Sequence, residues 1–387
     1  MSVKRLINAL ARRVIWFLFT MIIYSFRIFP IKKNKILFVN YYGKGYGDNA
    51  KYICEQLLVY RNRLDLVWAV QKKNENLPQG VRTVKYKSLH YYYELCTARV
   101  WVDNCRKPLY ERKRKGQYYI QTWHADMGIK KAEGEAIDSL YPSYVKGAKN
   151  DSKMADLFIC GNKWMIDVYR NAYWYSGKIY CCGYPRRDIL YNITRAQCDE
   201  IKKAIGIKNS IKVLLYAPTF RKTLDLNVYN LDWERILSSL SKKFGGNWIG
   251  MIRLHPNISK HNESLKLPEC VYNVTEYPDM QELLAISDVC VTDYSSSILE
   301  FGVTGKPAFI YASDYEEYKK DRDVNFDLYE MPFPFSENNS ELITNIMNFD
   351  SGEYAEAHYE FYDKKIGMFE SGNASEKIAN IILEKCS

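Results

Sequence analysis

From Lys35 onward, short runs of β-branched and aromatic residues alternate with stretches whose apolar positions recur at helical spacing. That alternation predicts parallel α/β layers. In the first half the expected strands are KILFV (35–39), LDLVWAV (64–70), ARVWVDN (98–104), QYYIQTW (117–123), DLFICG (156–161) and KIYCCGY (178–184). After a polar stretch, NITRAQCDEIKKAIGIKNS (192–210), the second half repeats the logic. Its expected strands are IKVLLYAPT (211–219), NWIGMIRLHP (247–256), CVYNV (270–274), DVCVTDY (288–294) and KPAFIY (306–311). A last helix over about residues 373–385 is placed to pack back across the domains. The pattern implies two Rossmann-like halves facing across a cleft, with ligands at the carboxyl ends of the strands. The expected boundaries are 1–34, 35–200 and 201–387.

Ahead of this pattern runs VIWFLFTMIIYSFRIF (14–29), interrupted by Thr20, Ser25 and Arg27. A spanning helix needs about 20 apolar residues, so a membrane crossing is marginal. Upstream, Lys4, Arg5, Asn8 and Arg12 recur opposite Leu6, Ile7 and Leu10. Such a basic, aromatic-rich helix suits an anionic membrane surface. The other placements are a spanning anchor and a helix packed on the protein's own core. A signal peptide is disfavoured, because no small-residue cleavage site precedes Pro30 and Lys32.

Charge sharpens this picture. Of the net +10, the first 35 residues carry eight positive charges and no acid, leaving two for the other 352 residues. The body is therefore close to neutral, which argues against a nucleic-acid partner. The positive flanks argue for a body on the cytoplasmic side of a membrane. The 47% of apolar residues excludes disorder. Ten cysteines form no C-x-x-C pair, and several, such as Cys160 and Cys290, sit inside apolar runs, which fits a reduced compartment.

Candidate chemistry clusters where strands end. VTDYSSSILEF (291–301) passes from a buried strand to a helix through Asp293 and three serines, Ser295, Ser296 and Ser297. One serine there is an ordinary helix cap. Three hydroxyls beside unpaired helix N–H groups form a cradle for phosphate oxygens. His124 and His255 each follow an expected strand, one in each half. A lone histidine is more often structural, and the matching positions raise the case for chemistry. GYPRRDILY (183–191) supplies Arg186 and Arg187, and YAPTFRK (216–222) supplies Thr219, Arg221 and Lys222. Guanidinium forks there suit phosphate, and surface ion pairs are the plain alternative. The glycine-rich YYGKGYGDN (41–49) fits neither dinucleotide nor Walker patterns, with Asp48 or Asn49 as a helix cap. The basic run RKPLYERKRKG (106–116) reads first as a solvated loop, and DRD (321–323) is a weak metal pattern.

Together, QTWHADMGIKK, GYPRRDIL, LLYAPTFRK, IRLHP and ELLAISDVCVTDYSSSILEF with GKPAFIYASDYEEY resemble the CDP-glycerol glycerophosphotransferase family in motif order over about residues 35–365. This family comprises teichoic-acid primases and polymerases and related capsule polymerases. The resemblance implies a GT-B architecture and transfer of a polyol phosphate from CDP-glycerol or CDP-ribitol to a hydroxyl acceptor, a lipid-linked glycan or polyol phosphate. It also implies an enzyme without metal or cofactor on the inner face of a bacterial membrane. His124 then matches the general base toward the acceptor, and His255 the histidine near the donor pyrophosphate. Ser295, Ser296 and Ser297 match donor-phosphate hydroxyls. Arg186, Thr219 and Arg221 lie in motifs lining the donor site, and Asp293 and Glu300 belong to the serine motif. The family usually reads Gly-Thr-Pro after the first histidine, where this chain has Ala125, Asp126 and Met127. A GT-B glycosyltransferase with a nucleotide-sugar donor, and a catalytically silent membrane-bound scaffold, are the competing readings.

Overall fold

The computed structural model describes residues 3–387 except 73–76, 128–130, 220–230, 255–266 and 316–325, with side chains from residue 14 onward. The chain divides into two compact units. Met1–Asp126, Glu133–Arg186 and Phe369–Ser387 form the first, and Met127–Ala132 with Arg187–Met368 form the second.

In the first unit, helices α1 (Val3–Phe26), α2 (Asp48–Leu57), α3 (Leu89–Thr97), α4 (Pro142–Met154) and α5 (Lys163–Asn171) alternate with seven strands. These are β1 (Lys32–Val39), β2 (Asp65–Val70), β3 (Val81–Lys85), β4 (Ala98–Asp103), β5 (Tyr118–Gln121), β6 (Leu157–Cys160) and β7 (Lys178–Cys181). All pairings are parallel, in the order β3-β2-β1-β4-β5-β6-β7. Strand order reverses between β1 and β4, which opens a ligand crevice at their carboxyl ends. The C-terminal helix, Ala374–Cys386, belongs to this unit. Its Ala374, Ile378, Ala379 and Ile382 close a core with Ile36, Phe38, Ile53, Leu57 and Val100.

The second unit contains α6 (Asp188–Asn192), α7 (Arg195–Ile205), β8 (Lys212–Tyr216), α8 (Trp233–Phe244), β9 (Trp248–Ile252), β10 (Val271–Asn273) and α9 (Met280–Ile286). It continues with β11 (Val289–Thr292), α10 (Ser297–Gly302), β12 (Ala308–Tyr311), β13 (Phe335–Ser336), α11 (Asn339–Asn348) and α12 (Ser351–Tyr359). Its parallel sheet runs β10-β9-β8-β11-β12-β13, so the reversal falls between β8 and β11. The polar stretch 192–210 is largely α7, an exposed amphipathic helix inside this unit. It opens on a Thr194–Gln197 capping box and stops at Gly206, whose φ of 91° suits glycine.

Helix α1 packs against α3. Phe19 lies 5.1 Å from the Tyr110 ring and 5.5 Å from Tyr92, and Ile23 is fully buried. Val14, Ile15, Phe17, Leu18 and Met21 stay exposed, Phe17 by 63%. Among the described residues no helix is long and apolar enough to cross a membrane, so the spanning-anchor expectation lacks support. The physical reason is the interruption by Thr20, Ser25 and Arg27, which keeps the apolar run short of a bilayer's thickness.

Candidate functional site

In the first unit the reversal edge is built by the loops after β1, β4 and β5. His124 follows β5 and is partly buried, its ring stacked 4.7 Å from Trp123 and tilted 5.3 Å from Tyr41. Its Nδ1 lies 2.7 Å from the Asn104 carbonyl oxygen. A carbonyl only accepts, so Nδ1 carries the proton, and the neutral ring leaves its lone pair on Nε2. Burial lowers the imidazole pKa below its ordinary 6.5, against upward pulls from the Asn104 carbonyl and Asp48. The ring is thus held neutral, ready to accept a proton at Nε2.

A polar frame fixes that carbonyl. The Asn104 side-chain amide donates to Asn40 Oδ1 and Asp48 Oδ2, each at 2.7 Å, and its oxygen accepts from Tyr41 N at 2.9 Å. Asp48 Oδ1 accepts from Arg186 Nη1 at 2.9 Å, and the same nitrogen reaches the His124 carbonyl at 3.3 Å. Asn49 Nδ2 donates to the Trp123 carbonyl at 3.0 Å, while its Oδ1 accepts from Arg186 N at 3.2 Å. Asp48 and Asn49 therefore brace the His124 loop instead of capping α2, whose N-cap is Gly47 without a side-chain bond. Tyr41, Asp48 and Trp123 hold left-handed φ values of 40°, 55° and 52°. Such strain in non-glycine residues persists where surrounding bonds over-determine the backbone.

The basic run after β4 is largely internal at its start. Arg106 sits 4.9 Å over the Trp123 ring and bonds Asp151 and Glu133 at 3.3 and 3.2 Å. Lys107 bonds Asp103 at 2.7 Å. Both are buried, which differs from a solvated loop. Asp126, in the segment departing from Gly-Thr-Pro, accepts from Asn162 Nδ2 at 2.7 Å and so ties the loop to the start of α5. Sequence reading did not single out Asn104 or Trp123, and took Arg106 only as part of a solvated basic run. The available signal was their position at the carboxyl ends of β4 and β5.

In the second unit the reversal edge joins Thr219 to the serine stretch. Asp293 accepts from Thr219 N at 2.9 and 3.0 Å and from its hydroxyl at 2.5 Å. Ser297 Oγ donates to Ser295 Oγ at 2.8 Å, and Ser297 N reaches the same oxygen at 3.3 Å. Ser296 is exposed and makes no capping bond at the start of α10. Glu300 lies one turn on, gripped by Arg187 through Nε at 2.9 Å and Nη2 at 3.1 Å. Adjacent arginines thus divide: Arg186 serves the His124 loop, and Arg187 anchors α10. His255, Arg221, Lys222 and the DRD stretch lie outside the described residues.

The sequence pattern of the CDP-Glycerol:Poly(glycerophosphate) glycerophosphotransferase family matches residues 21–384. A teichoic acid poly(glycerol phosphate) polymerase of Staphylococcus epidermidis is 30% identical over 370 residues, which cover 91% of this chain and 51% of that protein. The chain thus spans about half the length of that relative. A teichoic acid glycerol-phosphate transferase of Staphylococcus aureus is 30% identical over 371 residues, covering 91% of this chain and 93% of its own length. The solved wall teichoic acid polymerase TagF superposes with a TM-score of 0.82 at 27% identity, covering 100% of this chain and 99% of that one. A histidine variant of TagF soaked with CDPG matches with a TM-score of 0.81 at 26% identity, over 100% of this chain and 98% of that one. With the pattern running through both units and every motif quoted above, the chain belongs to the CDP-glycerol:poly(glycerophosphate) glycerophosphotransferase family.

Proposed function

We propose that this transferase moves glycerol phosphate or ribitol phosphate from a CDP-activated donor to a hydroxyl of a lipid-linked, teichoic-acid-type acceptor, with release of CMP. The observation that carries the reading is the neutral His124 with its lone pair on Nε2 in a family member. In the proposed step Nε2 takes the proton of the acceptor hydroxyl as its oxygen bonds to the donor's β-phosphorus. The bond from that phosphorus to the bridging oxygen breaks, and CMP leaves with the electron pair. Charge growing on CMP calls for preorganised donors. Thr219, Asp293 and Ser295–Ser297 are proposed to shape that side, with Asp293 and Glu300 organising the loop and helix and the hydroxyls meeting phosphate. Arg186 is proposed to hold the His124 loop, and His255 and Arg221 keep their proposed places near the donor.

The two parallel-sheet units support a GT-B reading. The exposed apolar residues of α1, next to the basic N-terminal stretch, support attachment to the surface of an anionic membrane on its cytoplasmic side.

A donor screen tests the activity: purified protein with membranes and CDP-glycerol or CDP-ribitol should release CMP and add the matching mass to the lipid product. Release of a nucleoside diphosphate from a sugar donor would instead establish glycosyl transfer. For Ser296→Ala the expected outcome is a donor KM raised about tenfold, the worth of one hydrogen bond to a charged group. Its melting temperature should stay put, since the hydroxyl caps nothing. A lowered melting temperature with unchanged KM would return this serine to a structural role.

A further inference from the structure

Arg253 directly follows β9. Ile252 registers with Tyr216 of β8, which registers with Val291 of β11, and Arg253 N donates to the Tyr216 carbonyl at 2.9 Å. The residue therefore stands one position beyond the sheet, on the same carboxyl edge that carries Thr219, Asp293 and the serines. Its side chain is unusual for this protein. Nη1 is shielded from solvent and has no hydrogen-bond partner, and no ion pair includes Arg253 among the described residues. Arg106, Arg186 and Arg187, by contrast, each hold a carboxylate within 3.3 Å. Among the described residues the carboxylate of Asp279 acts on it electrostatically, and that carboxylate already accepts from Gln281 N at 2.8 Å while capping α9. Burial outweighs that pull and lowers the guanidinium pKa. The residue is half-buried, and its shielded Nη1 with unused donors is costly in the ligand-free state, so an anion arriving there would relieve it.

We propose that Arg253 is a phosphate-binding residue of the second unit, its forked N–H donors receiving the diphosphate of the nucleotide donor. The inference rests on the reading above that this unit binds a CDP-linked donor. A guanidinium presents two parallel N–H groups that match two phosphate oxygens, and a diphosphate supplies the ion-pair partner that Arg253 lacks among the described residues. The reversal of strand order between β8 and β11 places such a ligand at this edge.

The test compares cytidine, CMP and CDP as calorimetric ligands for wild type, Arg253→Met and Arg253→Lys, with melting temperatures measured without ligand. Arg253→Met should weaken CDP binding about ten- to hundredfold, the loss of a charge-assisted forked contact, and leave cytidine binding unchanged. Its ligand-free melting temperature should match or exceed wild type, because a cation without a partner has been removed. Arg253→Lys keeps the charge without the fork, and should recover part of the CDP affinity. Equal CDP affinity in wild type and Arg253→Met overturns the inference while leaving the donor site in place. So does a lowered melting temperature with all three ligands weakened alike, which marks a structural arginine. Wild type that binds none of the three overturns the donor reading and this inference together.

Discussion

Replacing His124 with alanine should lower the turnover of the proposed polyol-phosphate transfer by about 10²–10⁴-fold, the contribution of a positioned general base, and leave CDP binding close to wild type. The separation follows from placement: His124 lies in the first unit, on a loop braced by Asn104, Asp48 and Asn49, whereas the hydroxyls assigned to phosphate belong to the second. Burial lowers the pKa of the ring, so the proton-accepting neutral form persists below pH 6.5 and the acid limb of the rate profile should lie on that side. The sign for stability follows from the same shift. Below 6.5 the unfolded chain takes up a proton that folded His124 refuses, so this residue's contribution to stability falls as pH drops through that range. Unchanged turnover in the alanine variant, or an acid limb above 6.5, would remove His124 from the proton transfer.

Arg187→Ala should destabilise the second unit by about 3–5 kcal/mol, the usual result of leaving a buried charge without its partner. Arg187 is fully buried and forks onto Glu300, whose side chain is 11% exposed, with Gln281 Nε2 at 3.5 Å from the same carboxylate. Glu300 belongs to α10 and Gln281 to α9, so the pair binds two helices flanking β11 to the segment entering α6. For a unit of this size the loss corresponds to a melting decrease of roughly 6–20 °C. Replacing both partners with apolar residues of similar volume, Arg187→Met with Glu300→Leu, should recover much of it. An alanine variant melting with wild type would show that the ion pair carries no weight.

The strands around both reversal points were legible because parallel sheets covered on both faces demand unbroken apolar runs, as in ILFV of β1 and VCVT of β11. β3, at a sheet edge with a mostly accessible VRTVK, lacks that signature, and two-residue β13 is too short to have one. His124 stood out as a polar residue at a strand end. Its frame did not, because Asp48 and Asn104 are 56 residues apart and meet only when β1 and β4 pair. Charge partners were the least legible feature: Arg186 read as a residue type suited to phosphate and Glu300 only as part of the serine motif, and the fold supplies Asp48 and Arg187 as their partners.

The C-terminal helix has a consequence for synthesis. Its apolar side chains form one wall of the first unit's core, yet the ribosome makes them after every segment of the second unit. A growing chain therefore holds every segment of the second unit while Ile53, Leu57 and Val100 of the first unit still lack cover. Until residues 374–386 emerge, that groove is an apolar surface suited to a chaperone. Stalled chains ending near residue 368 should be cleaved by protease within the first unit and protected in the second, and equal protection of both would show that the early segments close their core unaided.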